Sequence, residues 1–136
     1  IDFPSCFNDV PASIVNKSVA SAPAGMHVMT HVTVVVCRFG CGCYFAENST
    51  KSLQYAHPDS SSAGHHFFIV SRVLLGNPQF TLKTLGKEFK MPSSKYDSVI
   101  AQSKKYDPAA AVNHREMVVY DGNRAYAEYI LEVAKQ

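Results

Sequence analysis

Residues Gly40 to Tyr55 read GCGCYFAENSTKSLQY, and further along the chain His114 to Asp121 read HREMVVYD. Gly40 and Gly42 punctuate a turn, which leaves Cys43 to Ala46 as a short extended piece. Asn48 or Ser49 is suited to cap a helix running to about Tyr55 or Ala56, because a short polar side chain accepts a bond from the first free N–H groups. On that helix Lys51, Ser52 and Tyr55 fall within one turn, and Ser52 and Tyr55, three residues apart, share a face. In the second segment Glu116 places a lone carboxylate at the head of the apolar run Met117 to Tyr120. Two tyrosines (Tyr44 and Tyr55), the Ser52 hydroxyl and the Glu116 carboxylate are suited to holding a flat aromatic amide with a ribose beside it.

Outward from these segments, the pattern is strand-dominated. Residues 10–17 (VPASIVNK) predict a short helix with Pro11 in its first turn. Val28 to Cys37, rich in Val and Thr, reads as a strand, and so does Phe67 to Leu75, stopped by Gly76-Asn77-Pro78. His57 to Gly64 is a loop. Residues 79–113 are mixed and polar, contain Pro92 and Pro108, and are expected to form a long excursion with little regular structure. Arg115 to Tyr120 is a strand, Asp121-Gly122 a turn, and Tyr126 to Val133 a final strand. Mostly antiparallel neighbours with one or two short helices make the fold class α+β.

The chain has 136 residues, which suits a single domain (1–136) with its own core. A formal net charge of +2 is too small to indicate nucleic acid or an anionic membrane as a partner. No apolar run approaches the roughly 18 to 20 residues that span a bilayer. The start at Ile1 rather than Met fits a processed product or an excised piece.

Four cysteines, Cys6, Cys37, Cys41 and Cys43, are too few for a disulfide scaffold at this length. With His27 and His31 upstream, Cys37, Cys41 and Cys43 offer zinc ligands on paper, but the spacing is not that of a structural site, and reduced thiols with no metal are the expectation. The sequons at Asn16 and Asn48 matter only in a secreted protein.

Each candidate has a plainer reading beside the chemical one. Tyr44 and Tyr55 also suit core aromatics, Ser52 a solvated hydroxyl, and Glu116 a solvated edge carboxylate. His65, His66 and His114 are polar flanks of strands.

Taken together, the segments resemble the poly(ADP-ribose) polymerase catalytic domain, in the diphtheria-toxin-like branch of ADP-ribosyltransferases. The carrying residues are Phe39-Gly40-x-Gly42-x-Tyr44-Phe45-Ala46 followed by Ser49-x-Lys51-Ser52-x-x-Tyr55. Ser71-Arg72-Val73-x-Leu75-Gly76 resembles that family's next strand and turn. Arg115-Glu116-x-Val118-Val119-Tyr120-Asp121 and Ala125-Tyr126-x-Glu128-Tyr129-Ile130 resemble its closing hairpin. The likeness is strongest over residues 38–133.

The resemblance implies split antiparallel sheets around a nicotinamide pocket, with NAD as co-substrate. Tyr44 and Tyr55 would sandwich the ring, Ser52 would bond the carboxamide, Lys51 would belong to the same cofactor-binding set, and Glu116 would orient the ribose and polarise the acceptor. Tyr44 and Glu116 are thus the catalytic candidates. ADP-ribose would pass to protein acceptors, the chain itself included, with release of nicotinamide. A glutamate at this position goes with chain elongation in the family. The family's habits also place the protein in the nucleus or cytoplasm.

One departure stands out. Family members carry a His-Gly pair ahead of the first short helix, and here that place falls near Phe3-Pro4 or Pro4-Ser5. Proline has no N–H to offer a carboxamide. Loss of one or two such bonds, at about 0.5 to 1.5 kcal/mol each, would weaken NAD binding roughly ten- to a hundredfold. Residues 19–37, which would form the loop over the donor site, also match poorly; His27 or His31 could substitute spatially, but nothing in the sequence shows it. The sequence therefore supports two readings. One is an active or weakly active transferase, and the other is a catalytically silent relative that binds a protein or an ADP-ribose-like ligand.

Overall fold

The computed structural model describes residues 27–30, 38–56 and 65–134. It contains β1 (His27–Thr30), β2 (Cys43–Ala46), α1 (Ser49–Leu53), β3 (His65–Val73), β4 (Pro78–Thr81), β5 (Ser98–Ala101), β6 (Glu116–Val119) and β7 (Ala125–Ala134). A 3-10 turn over Gly122–Arg124 precedes β7. The strands hydrogen-bond in the order β4-β5-β6-β2-β1-β3-β7. Every pairing is antiparallel except β4 with β5, which is parallel. This is the α+β class expected.

Within this sheet β1 links β2 to β3. Among the described residues β1 meets β2 through two pairs, Met29↔Ala46 and Thr30↔Phe45. On one side stand β4, β5, β6 and β2, and on the other β1, β3 and β7. A shared core ties the halves together. Phe45, Ile100, Met117 and Val119 from the first half pack with Val73 from β3, and Leu75 and Ala125 close over them. The opposite face of β5, β6 and β2 carries a second core of Phe39, Val99, Ala101, Val112 and Val118, covered by Tyr44, Leu85, Phe89 and Tyr120. Full burial of side chains such as Phe39 and Met117 contributes roughly 1.5 to 3 kcal/mol each.

The sequence placed no strand between residues 79 and 113, and that expectation is corrected by β4 and β5. Pro78 reads as a stop after Gly76-Asn77, yet it is the first residue of β4, an edge strand, where a missing N–H costs no ladder bond. β5 (SVIA) is buried at all four positions, so it shows no polar alternation to betray it. Three smaller differences concern ends. β3 starts at His65 rather than Phe67 and ends at Val73, because it pairs with β7 from His65↔Ala134 to Val73↔Ala125. β7 is correspondingly longer than Tyr126 to Val133. β6 is confined to Glu116–Val119. The helix at 10–17, the loop at 57–64 and the Phe3-Pro4-Ser5 region lie outside the described residues.

Two joints hold the cores in register. Gly40 has φ of +88°, and a Cβ there would lie 2.0 Å from the Phe89 carbonyl oxygen. The turn over residues 38–42 therefore seats directly on the segment between β4 and β5, which also sends the Leu85 and Gly86 N–H groups to the Arg38 carbonyl. At the other joint Asp97 accepts from the Asn77 N–H and pairs with Arg124, 2.8 Å away. The bond from Asn77, then the Arg124 charge, hold its carboxyl below the ordinary value of 3.8. In the β3–β7 half, Arg72 and Glu128 form an ion pair with the glutamate carboxylate buried.

Candidate active site

The site begins with β2 and β6. Their register pairs Tyr44 with Val118 and Ala46 with Glu116. Opposed residues in an antiparallel pair point to the same side, and residues two apart return to it. Tyr44 and Glu116 therefore share one face of the sheet. On that face Glu116 is flanked by Ala46 from β2 and Ala101 from β5. Both neighbours are small, so the space above the row stays open to a longer side chain.

That side chain is Lys51. Asn48 caps α1 by accepting from the Thr50 N–H at 2.8 Å, as the sequence led us to expect. The helix is one short turn. It ends at Leu53, two or three residues before the predicted limit, because the Gln54 and Tyr55 N–H groups turn back to carbonyls only three residues behind. The spacing that mattered survives. Lys51 Nζ donates to the Tyr55 hydroxyl at 3.1 Å and lies 4.8 Å from that ring's centroid. The same ammonium lies 3.2 Å from Glu116 Oε1.

Glu116 is buried, which excludes the reading of a solvated edge carboxylate. Its Oε1 has the Lys51 charge beside it yet makes no hydrogen bond of good geometry among the described residues. A buried carboxylate with one charged neighbour and an unfilled acceptor position is costly unless another donor arrives. Ser52, on the same helical turn, is buried too, so it is not the solvated hydroxyl of the plainer reading. Tyr55 is half-buried, and beyond it His66 Nδ1 contacts the Ala56 carbonyl, fixing the end of this segment to β3.

Tyr44 is placed differently from Tyr55. Its hydroxyl donates to the Gly40 carbonyl at 2.7 Å and accepts from the Phe39 N–H at 3.0 Å. The ring packs against Phe39, with centroids 6.5 Å apart. Its hydroxyl closes the turn that precedes β2. Behind it, Tyr120 donates to the Phe39 carbonyl. Burial first, then the neighbouring Tyr44 and Cys41, push the Tyr120 phenol above its ordinary value and keep it neutral.

Of the predicted set, Lys51, Tyr55 and Glu116 are in direct contact, Ser52 lies on the same turn, and Tyr44 shares the sheet face. Sequence reasoning undervalued two things. Lys51 is the hub of the cluster, a role visible in its i, i+4 spacing to Tyr55. Ala46 and Ala101 are the clearance beside the carboxylate, and their role depends on cross-strand register, which the sequence does not carry. Among the described residues no group of three or more His, Cys, Asp or Glu side chains could hold a metal ion. Cys41 is exposed and Cys43 half-buried, neither in a disulfide among the described residues, while Cys6, Cys37 and the side chains of His27 and His31 lie outside the described residues.

A second polar feature adjoins the cluster. Where β6 begins, a cleft of about 390 Å³ is lined by Glu47, Asn48, Ser103, Lys105, Tyr106, Asn113, His114 and Arg115.

A family model described as the poly(ADP-ribose) polymerase catalytic domain matches residues 13–135. The match takes in both segments from which the site is built and runs upstream into residues for which the sequence resemblance was weak. The chain belongs to the poly(ADP-ribose) polymerase catalytic domain family.

Proposed function

We propose that this protein is an NAD-dependent ADP-ribosyltransferase, with Tyr44, Lys51, Ser52, Tyr55 and Glu116 as its donor site. The observation that carries the reading is the convergence of Glu116 and Tyr55 on the Lys51 ammonium, 3.2 and 3.1 Å away. A buried carboxylate, a buried hydroxyl and a half-buried phenol ring in one place suit a nicotinamide riboside. The ring stacks on Tyr55, the carboxamide bonds Ser52, and a ribose hydroxyl supplies the donor that Glu116 Oε1 lacks.

NAD, when bound, supplies an activated glycosidic bond whose leaving group is nicotinamide. The residues of this chain do the positioning. Tyr55 and Ser52 fix the pyridinium plane. Glu116, held in place by Lys51, orients the ribose and stabilises positive charge that develops at its anomeric carbon. An acceptor nucleophile bonds that carbon as the bond to nicotinamide breaks. The electron pair leaves with nicotinamide, and the acceptor's proton, where it has one, passes to Glu116 or water. The glutamate at position 116 favours repeated transfer, and protein side chains, those of this chain included, are the acceptors.

Incubation with NAD labelled in its adenine tests the reading. Label should appear on protein and fall by at least about a hundredfold in Glu116→Gln. Label-free protein together with saturable binding of benzamide would favour the silent ligand-binding relative instead. Nicotinamide release without protein labelling would make the chain a glycohydrolase.

A further inference from the structure

The two ends of the sheet are built differently. β4, at one end, is four residues long, begins with Pro78 and is closely followed by Lys83. A short strand, a proline and a lysine are all devices that keep an edge from pairing with another chain. β7, at the other end, runs for 10 residues, AYAEYILEVA, with no proline, lysine or arginine. Among the described residues nothing pairs with its outer side.

The side chains on this edge are apolar and uncovered. Tyr129, Ile130, Leu131 and Val133 are each between 41% and 54% exposed, although successive residues point to opposite faces. Both faces of the strand are therefore open as well as its edge, and such a strand is a template for another. Its charges narrow the choice of partner. Glu128 is buried, engaged by Arg72, and sits at the bulge where β7 slips against β3 between Val70 and Ser71. Past the bulge the one charged residue of β7 is Glu132. An apolar strand of the same kind fits this edge, and a second copy of β7 supplies one.

In antiparallel self-pairing about a two-fold axis, the residue that faces itself fixes the register. Centring on Ile130 sets Glu128 against Glu132, and centring on Glu132 sets that carboxylate against its own copy. Like charges directly opposed are unfavourable. Centring on Tyr129 takes in the bulge, and centring on Val133 runs past Ala134, the end of the strand. Centring on Leu131 avoids all of these. Leu131 then faces Leu131, Tyr129 faces Val133, and Ile130 faces Glu132. The first is an apolar pair and the second an aromatic with a β-branched residue, both favourable across strands.

We propose that β7 pairs antiparallel with β7 of a second copy, centred on Leu131, so that the chain is a homodimer joined through one continuous sheet. The pairing does not depend on the transferase reading, but it orients the donor sites. Opposed residues share a face, and the register runs from Glu116 through Ala46, Met29 and Val70 to Tyr129. Tyr129 in turn faces the partner's Val133, so both copies carry Glu116 on the same side of the joined sheet.

Sedimentation equilibrium of the full chain should show monomer and dimer exchanging at micromolar concentration. Leu131→Lys, which opposes two ammonium groups, should raise the dissociation constant about tenfold or more. Phe80→Lys makes the same kind of change on β4, at the other end of the sheet, and should leave it within about twofold. Cysteine crosslinking reads the register. Opposed Cα atoms lie about 4.5 to 5.5 Å apart, within disulfide reach, so Leu131→Cys should link to its own copy under mild oxidation, as mapped by mass spectrometry. Ile130→Cys, opposite Glu132, should not. Thermal melts confirm that each variant is folded. A monomer at up to about 100 micromolar, a dimer that Leu131→Lys leaves intact, an equal loss with Phe80→Lys, or equal crosslinking through position 130 would overturn the proposal.

Discussion

Lys51 Nζ sits 3.2 Å from Glu116 Oε1 and 3.1 Å from the Tyr55 hydroxyl, so one ammonium joins the head of β6 to the residue just past the end of α1. The two side chains of the ion pair are 14% and 7% exposed, and water does little to screen them. The lysine therefore acts on both stability and chemistry. Without it the carboxylate is buried with no counter-charge among the described residues.

Lys51→Met should destabilise the fold by roughly 2 to 3 kcal/mol, since breaking one partner of a buried pair strands the other. Denaturant titration measures this. The double variant Lys51→Met with Glu116→Gln should recover more than half of the loss. Additive losses would show that the two groups are not coupled.

Gly40→Ala places a methyl group where φ is +88° and the Phe89 carbonyl oxygen is 2.0 Å away. Backbone strain and overlap together should cost roughly 3 kcal/mol or more. The cost falls on the turn that Tyr44 closes. A change in melting temperature of less than about 2 °C would contradict this seating of residues 38–42 on the β4–β5 segment.

Tyr44→Phe removes the partner of the Phe39 N–H and the Gly40 carbonyl while keeping the ring. A loss of about 1 to 3 kcal/mol is expected, with benzamide affinity changed less than by Ser52→Ala. Equal losses of benzamide affinity would mean that the Tyr44 hydroxyl, rather than the ring, meets the ligand.

Asp97 gives the fold an acid-sensitive joint. Its carboxyl titrates below the ordinary 3.8 in the folded chain because the Asn77 N–H, then Arg124, favour the charged form. A depressed folded-state pKa stabilises above the unfolded value, and that stability is lost as pH falls through the folded value. Asp97→Asn should therefore narrow the stability gap to the wild type on acidification below about pH 4, with the full gap near neutrality. A gap that stays constant from neutral pH down to about pH 2 would show that Asp97 is not preferentially ionised in the folded chain.

How much of this was written in the sequence depends on the range over which each signal acts. Asn48 as a cap, and Lys51, Ser52 and Tyr55 on one turn, are local, and the chain states them openly. The alternation around β3 and β7 is also legible. β5 was missed because SVIA is buried on both faces, and β4 because Pro78 mimics a terminator at a position where an edge strand tolerates it. The contact of Glu116 with Lys51 spans most of the described chain. The resemblance implied only that Glu116 shares a site with this helix; the contact itself depends on the Ala46-Glu116-Ala101 row, which register alone sets.

The central claim is that Ser52, Tyr55 and Glu116 line one pocket for the nicotinamide end of NAD. Calorimetric titration with benzamide against wild type, Ser52→Ala, Tyr55→Ala and Glu116→Gln tests it most directly. The account predicts saturable binding at or below millimolar concentration, weakened about tenfold or more by Ser52→Ala and Tyr55→Ala and little changed by Glu116→Gln, which faces the ribose instead. No binding by the folded wild type at millimolar benzamide, or equal binding by all four proteins, would contradict it.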